Sequence, residues 1–121
     1  MTSDDGDPVS VVHAFNDAIN RRDLAALVGL ITPTHRFVDA EGRSVAGRAA
    51  CEEAWRGFFE SFPDYRNIFA SVDHVGDGTV VVAGRSECAD PRLDGAASWC
   101  AVVRDGLVDV WQVGDAGAAL Q

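Results

Sequence analysis

The chain has 121 residues, a net charge of -9 and 47% apolar residues, which is the size and composition of one globular domain with its own core. The acidity argues against nucleic acid or an anionic membrane as the main partner. No apolar run approaches the roughly 20 residues that a membrane span needs, and the acidic N-terminus lacks a signal pattern. We therefore expect no membrane partner and, by default, a cytoplasmic location.

Sequence motifs for cofactors and metals are missing. There are three cysteines, Cys51, Cys88 and Cys100, an odd number, and no two are spaced as Cys-x-x-Cys. We therefore expect these cysteines to be small buried apolar side chains rather than disulfide partners or zinc ligands. There is no Gly-x-Gly-x-x-Gly, P-loop or Gly-x-Ser-x-Gly motif. We predict no cofactor and no metal.

Two helical patterns open the chain. Asp7 supplies an N-cap for the first, and the basic residues 21–22 suit its C-terminal end. Asp23 begins a second, shorter helix, whose apolar stripe extends to Ile31 and stops before Pro33.

Residues 34–40 alternate in the manner of a β-strand. The alternation places His35, Phe37 and Asp39 on one face, so an imidazole, an aromatic ring and a carboxylate follow one another. If that face looks inward it lines a site, and if it looks outward it says little about function. A turn at residues 41–42 leads into a short return strand.

A third helix is predicted from Arg48 to the residue before Pro63. It carries the heaviest apolar face of the chain, formed by Cys51, Trp55, Phe58, Phe59 and Phe62.

Four further strands are predicted after that helix, at residues 65–75, 79–88, 98–104 and 107–113, with a loop at residues 89–96. The dipeptide Asp105-Gly106 is a two-residue hairpin signal. The order of elements predicts an α+β fold, with helices on one face of a twisted antiparallel sheet and a pocket between them.

Several segments together resemble a known family. They are Asn-Arg-Arg-Asp-Leu, His-Arg-Phe-Val-Asp-Ala-Glu-Gly, Phe-Pro-Asp-Tyr-Arg and the closing Trp-Cys-Ala-Val-Val-Arg-Asp-Gly-Leu-Val-Asp-Val-Trp-Gln-Val. The chain resembles the NTF2-like superfamily, in its SnoaL-like group that includes polyketide cyclases and ketosteroid isomerases. The resemblance covers nearly the whole chain, so residues 1–121 are expected to form one domain with residues 1–7 and 115–121 frayed.

The resemblance implies a cystatin-like cone, in which a curved antiparallel sheet wraps around the three helices and encloses an apolar pocket. It also implies a homodimer through the outer face of the sheet. In ketosteroid isomerases an Asp on the first strand is the general base, and Asp39 matches that position. Phe15 stands where those enzymes have a helix-1 Tyr, and Trp99 or Cys100 stands where they have a second Asp. The base is thus kept while the oxyanion donors are lost, so steroid isomerisation is not expected.

Three residues are candidates for catalysis. A pocket would raise the pKa of Asp39 and make it a general acid/base, although a strand-end Asp can equally be solvated or salt-bridged. His35 would face the same substrate as an acid partner titrating near neutral pH, or it is a histidine at the rim of the sheet. Tyr65 would donate a hydrogen bond inward, or it anchors the mouth of the pocket.

Six aromatic residues are candidates for ligand binding, although aromatic residues in such patterns are also ordinary core. They are Phe15, Phe37, Trp55, Phe59, Trp99 and Trp111.

Two functions remain open. One is a cofactor-free isomerase, cyclase or hydratase-like enzyme acting on an apolar cyclic or polyketide-like molecule. The other is a ligand-binding or scaffold protein of the same fold, without turnover.

Overall fold

The computed structural model describes residues 7–114, so the predicted frayed ends lie outside the described residues, apart from Asp7. Within that range no helix is both long and apolar enough to cross a membrane. The elements are α1 (Pro8–Arg21), α2 (Leu24–Val28), β1 (Ile31–Val38), β2 (Ser44–Ala46), α3 (Arg48–Ser61), β3 (Arg66–Gly76), β4 (Thr79–Glu87), β5 (Gly95–Arg104) and β6 (Leu107–Val113).

The predicted N-caps of the first two helices are confirmed. The Asp7 carboxylate accepts a hydrogen bond from the Ser10 N–H at 3.3 Å, and the Asp23 carboxylate accepts one from the Ala26 N–H at 3.1 Å. Between the helices Arg22 adopts a left-handed conformation with φ 53°, which turns the chain sharply. The N-cap residues and the left-handed residue between the helices therefore determine the connection from α1 to α2.

The predicted extension of the second helix to Ile31 is wrong. The helix ends at Val28 with Gly29 as its C-cap, and Ile31 instead begins β1 as a fully buried residue. Pro33 lies within β1, at a place where the ladder with β6 is interrupted between Ile31 and Arg36. Its missing N–H is tolerated there because no regular ladder bond is required.

The six strands form one curved, open sheet in the order β2-β1-β6-β5-β4-β3. Most neighbours are antiparallel, as predicted, but β1 and β6 run parallel, so the expectation of a wholly antiparallel sheet is wrong at this pair. The predicted α+β architecture, with the helices in the N-terminal half of the chain, is confirmed. The sheet is mixed because β1 joins it beside the last strand, far away in sequence.

A bulge bends the long strand β3. Its register with β4 shifts between Phe69 and Ser71, and Gly84 lies opposite. A Cβ atom on Gly84 would come within 2.1 Å of the Ile68 carbonyl oxygen. Bulges increase the local twist, so this close approach helps the sheet curve around the helices.

The core lies between α1, α3 and the concave face of the sheet. Phe15 of α1 is at its centre, with ring centroids 4.7 Å from Trp111 and 6.0 Å from Trp55. The other fully buried apolar residues around it are Val12, Ala18, Ile19, Leu27, Ile31, Cys51, Val80, Trp99, Ala101 and Val108.

A polar clasp fixes the start of β3 against the end of α1. The Asn20 side chain accepts from the Asn67 N–H at 2.8 Å and donates to the Asn67 carbonyl at 2.9 Å. Arg22 donates to the Tyr65 carbonyl at 2.5 Å. These bonds position Tyr65, the residue that precedes β3.

Candidate functional site

A cavity of about 430 Å³ opens between α3, the β1–β2 turn, the end of β6 and the β4–β5 loop. Its lining is largely apolar, with charged side chains as well. The lining residues are Phe37, Asp39, Ala40, Glu41, Arg43, Ala54, Trp55, Phe58, Phe62, Tyr65, Arg92, Leu93, Trp111 and Val113.

Helix α3 supplies the aromatic wall of the cavity. Trp55 and Phe58 lie at i and i+3, so they share one face of the helix, and Phe62 is the C-cap residue that follows it. The Trp55 ring lies 5.3 Å from Phe37 and 5.7 Å from Phe58 between centroids. The Phe58 ring lies edge-on to Tyr65 at 4.8 Å. These rings fix one another and form a wall for a flat or cyclic ligand.

The β4–β5 loop closes another side of the cavity with Arg92 and Leu93. Carboxylates hold this loop in place. Asp64 accepts from the Ala89 N–H at 2.7 Å, and Asp94 accepts from the Cys88 N–H at 3.1 Å. The loop therefore presents a defined surface to the cavity.

Charged lining residues come from the β1–β2 turn and this loop, and they are paired. Arg43 donates to Asp39 at 3.0 Å and to Glu41 at 2.5 Å. Arg92 pairs with Asp90 at 2.6 Å. The Arg43 and Arg92 side chains are 77% and 81% exposed, so these pairs border solvent and contribute little to stability.

Asp39 lines the cavity but lies just beyond β1, in the turn. Its carboxylate accepts hydrogen bonds from the backbone N–H groups of Glu41 and Arg43, both at 2.9 Å, and from Arg43 Nε. Desolvation raises its pKa, but these hydrogen bonds and the Arg43 charge together outweigh that effect and lower the pKa. The expectation that an apolar pocket raises this pKa is wrong, because the turn supplies donors to the ionised form.

His35 lies inside the core and does not line the cavity. Its Nδ1–H donates to the Val108 carbonyl at 2.8 Å, since a carbonyl oxygen only accepts. Burial lowers its pKa, opposed by the Val108 bond and the Asp109 charge. The alternative of a histidine at the sheet rim is wrong, because His35 is fully buried. His35 and Asp39 are four residues apart, about 13 Å along a strand, so one small ligand atom cannot bridge them.

Tyr65 lines the cavity, but its hydroxyl group is engaged elsewhere. It lies 3.2 Å from Ser86 Oγ, which itself donates to Asn67 Oδ1 at 3.0 Å. Since Ser86 has one proton, Tyr65 is the donor in the first contact. Burial raises the pKa of Tyr65, while the Ser86 contact opposes the rise. Tyr65 therefore stays neutral, and its hydroxyl group joins the residue before β3 to Ser86 of β4.

The structure brings together only part of the predicted ligand wall. Phe37, Trp55 and Trp111 line the cavity with Asp39 and Tyr65, whereas Phe15, Phe59 and Trp99 do not. Phe15 and Trp99 are buried in the core, where Trp99 stacks on Trp111 with centroids 6.5 Å apart. Phe59 packs against Trp55, with ring centroids 5.7 Å apart.

Some lining residues were missing from the predicted site. Phe58 and Phe62 belong to the predicted apolar face of the third helix, so the periodicity carried a signal for them. Arg92 and Leu93 lie in a loop without periodicity, and no sequence pattern placed them at the cavity. Among residues 7–114, no three His, Cys, Asp or Glu side chains are grouped so as to hold a metal.

The geometry agrees with comparisons to known families. The family model described as "SnoaL-like domain" matches residues 12–117, which is most of the chain. The chain belongs to this SnoaL-like family. The resemblance inferred from the sequence motifs is therefore confirmed. No curated protein matches the sequence.

Solved structures share the fold of this SnoaL-like domain at low sequence identity. A suggested polyketide cyclase from Sinorhizobium meliloti has a TM-score of 0.77 at 19% identity, covering 86% of this chain and 93% of its own. TerC, crystallised with polyporic acid, has a TM-score of 0.74 at 18% identity, covering 93% and 94%. An LEH-like epoxide hydrolase from M. tuberculosis has a TM-score of 0.75 at 12% identity, covering 88% and 80%. These similarities show the fold alone.

Proposed function

We propose that this SnoaL-like domain binds a small, mainly apolar, ring-containing molecule in the cavity beside α3. The observation that supports this most is the lining itself, which is aromatic along Trp55, Phe58 and Trp111 and charged at the β1–β2 turn. A cavity of about 430 Å³ is within the range of small-molecule sites. TerC, which has the same fold, was crystallised with polyporic acid.

An uncharged ring system suits this site better than a strongly charged one. Each cation of the lining already has a carboxylate partner, Arg43 with Asp39 and Arg92 with Asp90. A ligand carboxylate would have to displace such a partner. Apolar rings instead gain free energy from leaving water, about 25 cal/mol for each Å² buried.

Titration with tetralin, a neutral bicyclic hydrocarbon, tests this proposal. We expect chemical-shift changes in ¹H–¹⁵N spectra that concentrate at the lining residues of α3 and the β4–β5 loop. Ala54→Trp should weaken binding at least about ten-fold, equivalent to about 1.4 kcal/mol, because Ala54 lines the cavity and an indole would fill it.

Ala50→Trp is the matched control, since Ala50 is also exposed on α3 but does not line the cavity. It should leave the affinity for tetralin unchanged. Equal binding by both variants, or shifts spread evenly over the surface, would refute a ligand site at this cavity.

A second candidate function is acid/base catalysis by Asp39, as in an isomerase, cyclase or hydratase-like enzyme. The observation in its favour is that Asp39 is on the cavity wall, with its side chain 30% exposed. Its lowered pKa makes it a weak base, so the substrate would need an acidic C–H, as beside a carbonyl. Tyr65 and His35 are less suited to assist, because the phenol proton is engaged by Ser86 and the imidazole is enclosed.

Asp39→Asn separates the two functions. It should abolish turnover of a ring ketone, with a loss of about 10²–10⁴ in rate if Asp39 is the base, while ligand affinity changes little. Asp90→Asn, at the same side of the molecule but off the cavity lining, is the control. Deuterium exchange next to the carbonyl, followed by NMR, reports the step. Equal exchange rates in both variants would exclude the base role.

Homodimerisation and a cytoplasmic location belong to the same proposal. The three cysteines are unpaired thiols, which fits a reducing compartment.

A further inference from the structure

The cavity beside α3 combines aromatic rings along its wall with an excess of carboxylates around its mouth. Its aromatic lining residues are Phe37, Trp55, Phe58, Phe62, Tyr65 and Trp111. The face of an aromatic ring carries partial negative charge, so such rings attract a cation that comes within about 6 Å of them. A wall of this kind accepts a positively charged group more readily than a negatively charged one.

The net charge around the mouth of the cavity is negative. The β1–β2 turn, residues 39–43, contains two carboxylates and one guanidinium group, and the β4–β5 loop, residues 88–94, contains the same numbers. Asp64, which accepts a hydrogen bond from the Ala89 N–H of that loop, adds a further carboxylate. Five carboxylates and two guanidinium groups leave a charge of -3. A concave site surrounded by one sign of charge concentrates ligands of the opposite sign.

The aromatic wall and the carboxylates meet at the end of β1. The Asp39 N–H donates to the Arg43 carbonyl at 2.8 Å, so the pairing of the hairpin continues through Asp39. Phe37 and Asp39 are two residues apart on this extended segment and both line the cavity. Phe37 packs against Trp55 with ring centroids 5.3 Å apart. The side chains of Asp39 and Glu41 are 30% and 72% exposed, so a ligand can reach their carboxylates.

We propose that the ring-containing ligand of this cavity carries an aliphatic amine, and that its ammonium group lies at the mouth beside Asp39 and Glu41. This inference rests on the proposed ligand-binding function and narrows the chemical class of the ligand. The ring system itself is uncharged and packs against the aromatic wall. The site thus selects a cyclic amine over the hydrocarbon of the same skeleton, and the hydrocarbon over the matching carboxylate.

Three probes with one ring skeleton test this charge preference. They are 2-aminotetralin, tetralin and tetralin-2-carboxylate, which are cationic, neutral and anionic at neutral pH. We expect the amine to bind about three- to ten-fold more tightly than tetralin, and the carboxylate about three- to ten-fold more weakly. Raising the salt concentration from about 20 mM to about 500 mM should bring the three affinities together, because salt screens charges that border solvent. In ¹H–¹⁵N spectra the amine should shift the amide signals of residues 39–43 more than tetralin does.

Glu41→Gln tests whether the carboxylates at the mouth cause the preference. It should lower the ratio of amine to tetralin affinity about two- to five-fold. Glu53→Gln is the matched control and should keep the wild-type ratio. Glu53 is 73% exposed and paired with Arg56, much as Glu41 is 72% exposed and paired with Arg43, but Glu53 does not line the cavity.

The outcomes separate this inference from the proposed function. If tetralin binds at the cavity and the amine binds no more tightly, the cavity binds rings but the ammonium proposal is overturned. Equal ratios in the wild type, Glu41→Gln and Glu53→Gln overturn it as well, because the preference would then come from the charge of the whole molecule. If none of the three probes binds at the cavity, the proposed function fails together with it.

Discussion

His35 and Asp39 have similar positions in the sequence pattern but different physical surroundings. Both have a lowered pKa, and the causes differ. For His35 the cause is loss of hydration around an enclosed imidazole. For Asp39, hydrogen bonds from the turn and Arg43 outweigh the opposing effect of desolvation. One side chain is therefore neutral and the other ionised at neutral pH.

His35 should make the free energy of unfolding depend on pH. Its pKa is below 6.5 in the folded state and returns to about 6.5 on unfolding, so the unfolded chain binds more protons in this range. Stability should fall as the pH drops from 7 to 5, by up to about 1.4 kcal/mol per pH unit. Urea denaturation at a series of pH values measures this slope.

His35→Asn should remove most of that slope, because the amide can still donate to the Val108 carbonyl but does not titrate. The carboxylates with lowered pKa, such as Asp109, titrate below this window and should act only at lower pH. His74→Asn, at an exposed position of β3, is the control and should keep the slope. An unchanged slope in His35→Asn would mean that another group causes the acid sensitivity.

At the scale of single elements, the irregular part of β1 is held by Asp109 of β6. Its carboxylate accepts from the hydroxyl groups of Thr32 at 2.6 Å and Thr34 at 2.9 Å, and from Arg104 at 3.1 Å. These bonds span the gap where the β1–β6 ladder is interrupted. Side chains thus join the two strands where backbone pairing is lost.

Asp109→Ala should lower the free energy of unfolding by about 1–3 kcal/mol, because it leaves the buried Thr32 hydroxyl without this partner. Chemical denaturation measures the change. Asp73→Ala, at an exposed position of β3, should cost less than about 0.5 kcal/mol. Equal effects of the two substitutions would show that the hydrogen bonds of Asp109 do not stabilise β1.

The bulge in β3 leads to a prediction about glycine. A Cβ atom at Gly84 would meet the backbone at Ile68 and Phe69, which cannot move without shifting the strand. Gly84→Ala should therefore destabilise the protein by about 1–3 kcal/mol. Gly57→Ala is the matched control, since Gly57 is in α3 with no atom within 4 Å of an added Cβ, and it should stabilise by about 0.5–1 kcal/mol. A neutral Gly84→Ala would mean that the strands are less tightly paired than this contact requires.

For the whole molecule, local signals in the sequence predicted most elements. Asp7 and Asp23 marked helix starts, and the hairpin turn at residues 105–106 has φ of 54° and 78°, as Asp-Gly turns require. The parallel β1–β6 pair was not predictable in this way, because strand direction within a sheet depends on tertiary contacts between distant segments.

The candidate site was predicted less completely than the fold. The helical period placed Trp55 on the cavity. How deeply a side chain is buried depends on tertiary packing, so the sequence could not distinguish the core residues Phe15 and Trp99 from residues that line the cavity. The Asp39 pKa was predicted in the wrong direction because the pattern emphasised the apolar neighbours. The backbone N–H groups of Glu41 and Arg43, together with the Arg43 side chain, lower it instead.

The outer face of the sheet bears on the oligomeric state. Residues alternate along each strand, so side chains next to the buried Val80, Val82 and Trp99 point away from the core. The central strands are in register there, with Val81 opposite Cys100. The outward residues of this patch are uncharged, namely Val81, Ala83, Ser98, Cys100, Val102, Val110 and Gln112. Depletion of charge is typical of the centre of an interface, which favours a homodimer through this face.

Val81→Arg should convert such a dimer to a monomer, because two copies would place like charges in the desolvated centre of a symmetric contact. Light scattering after size-exclusion chromatography measures the mass, and circular dichroism checks that the variant folds. Ala49→Arg, at an exposed position of α3, adds the same charge away from the sheet and should stay dimeric. A wild type that is monomeric at micromolar concentration would contradict the dimer. A Val81→Arg variant with the dimer mass would place the interface on another surface.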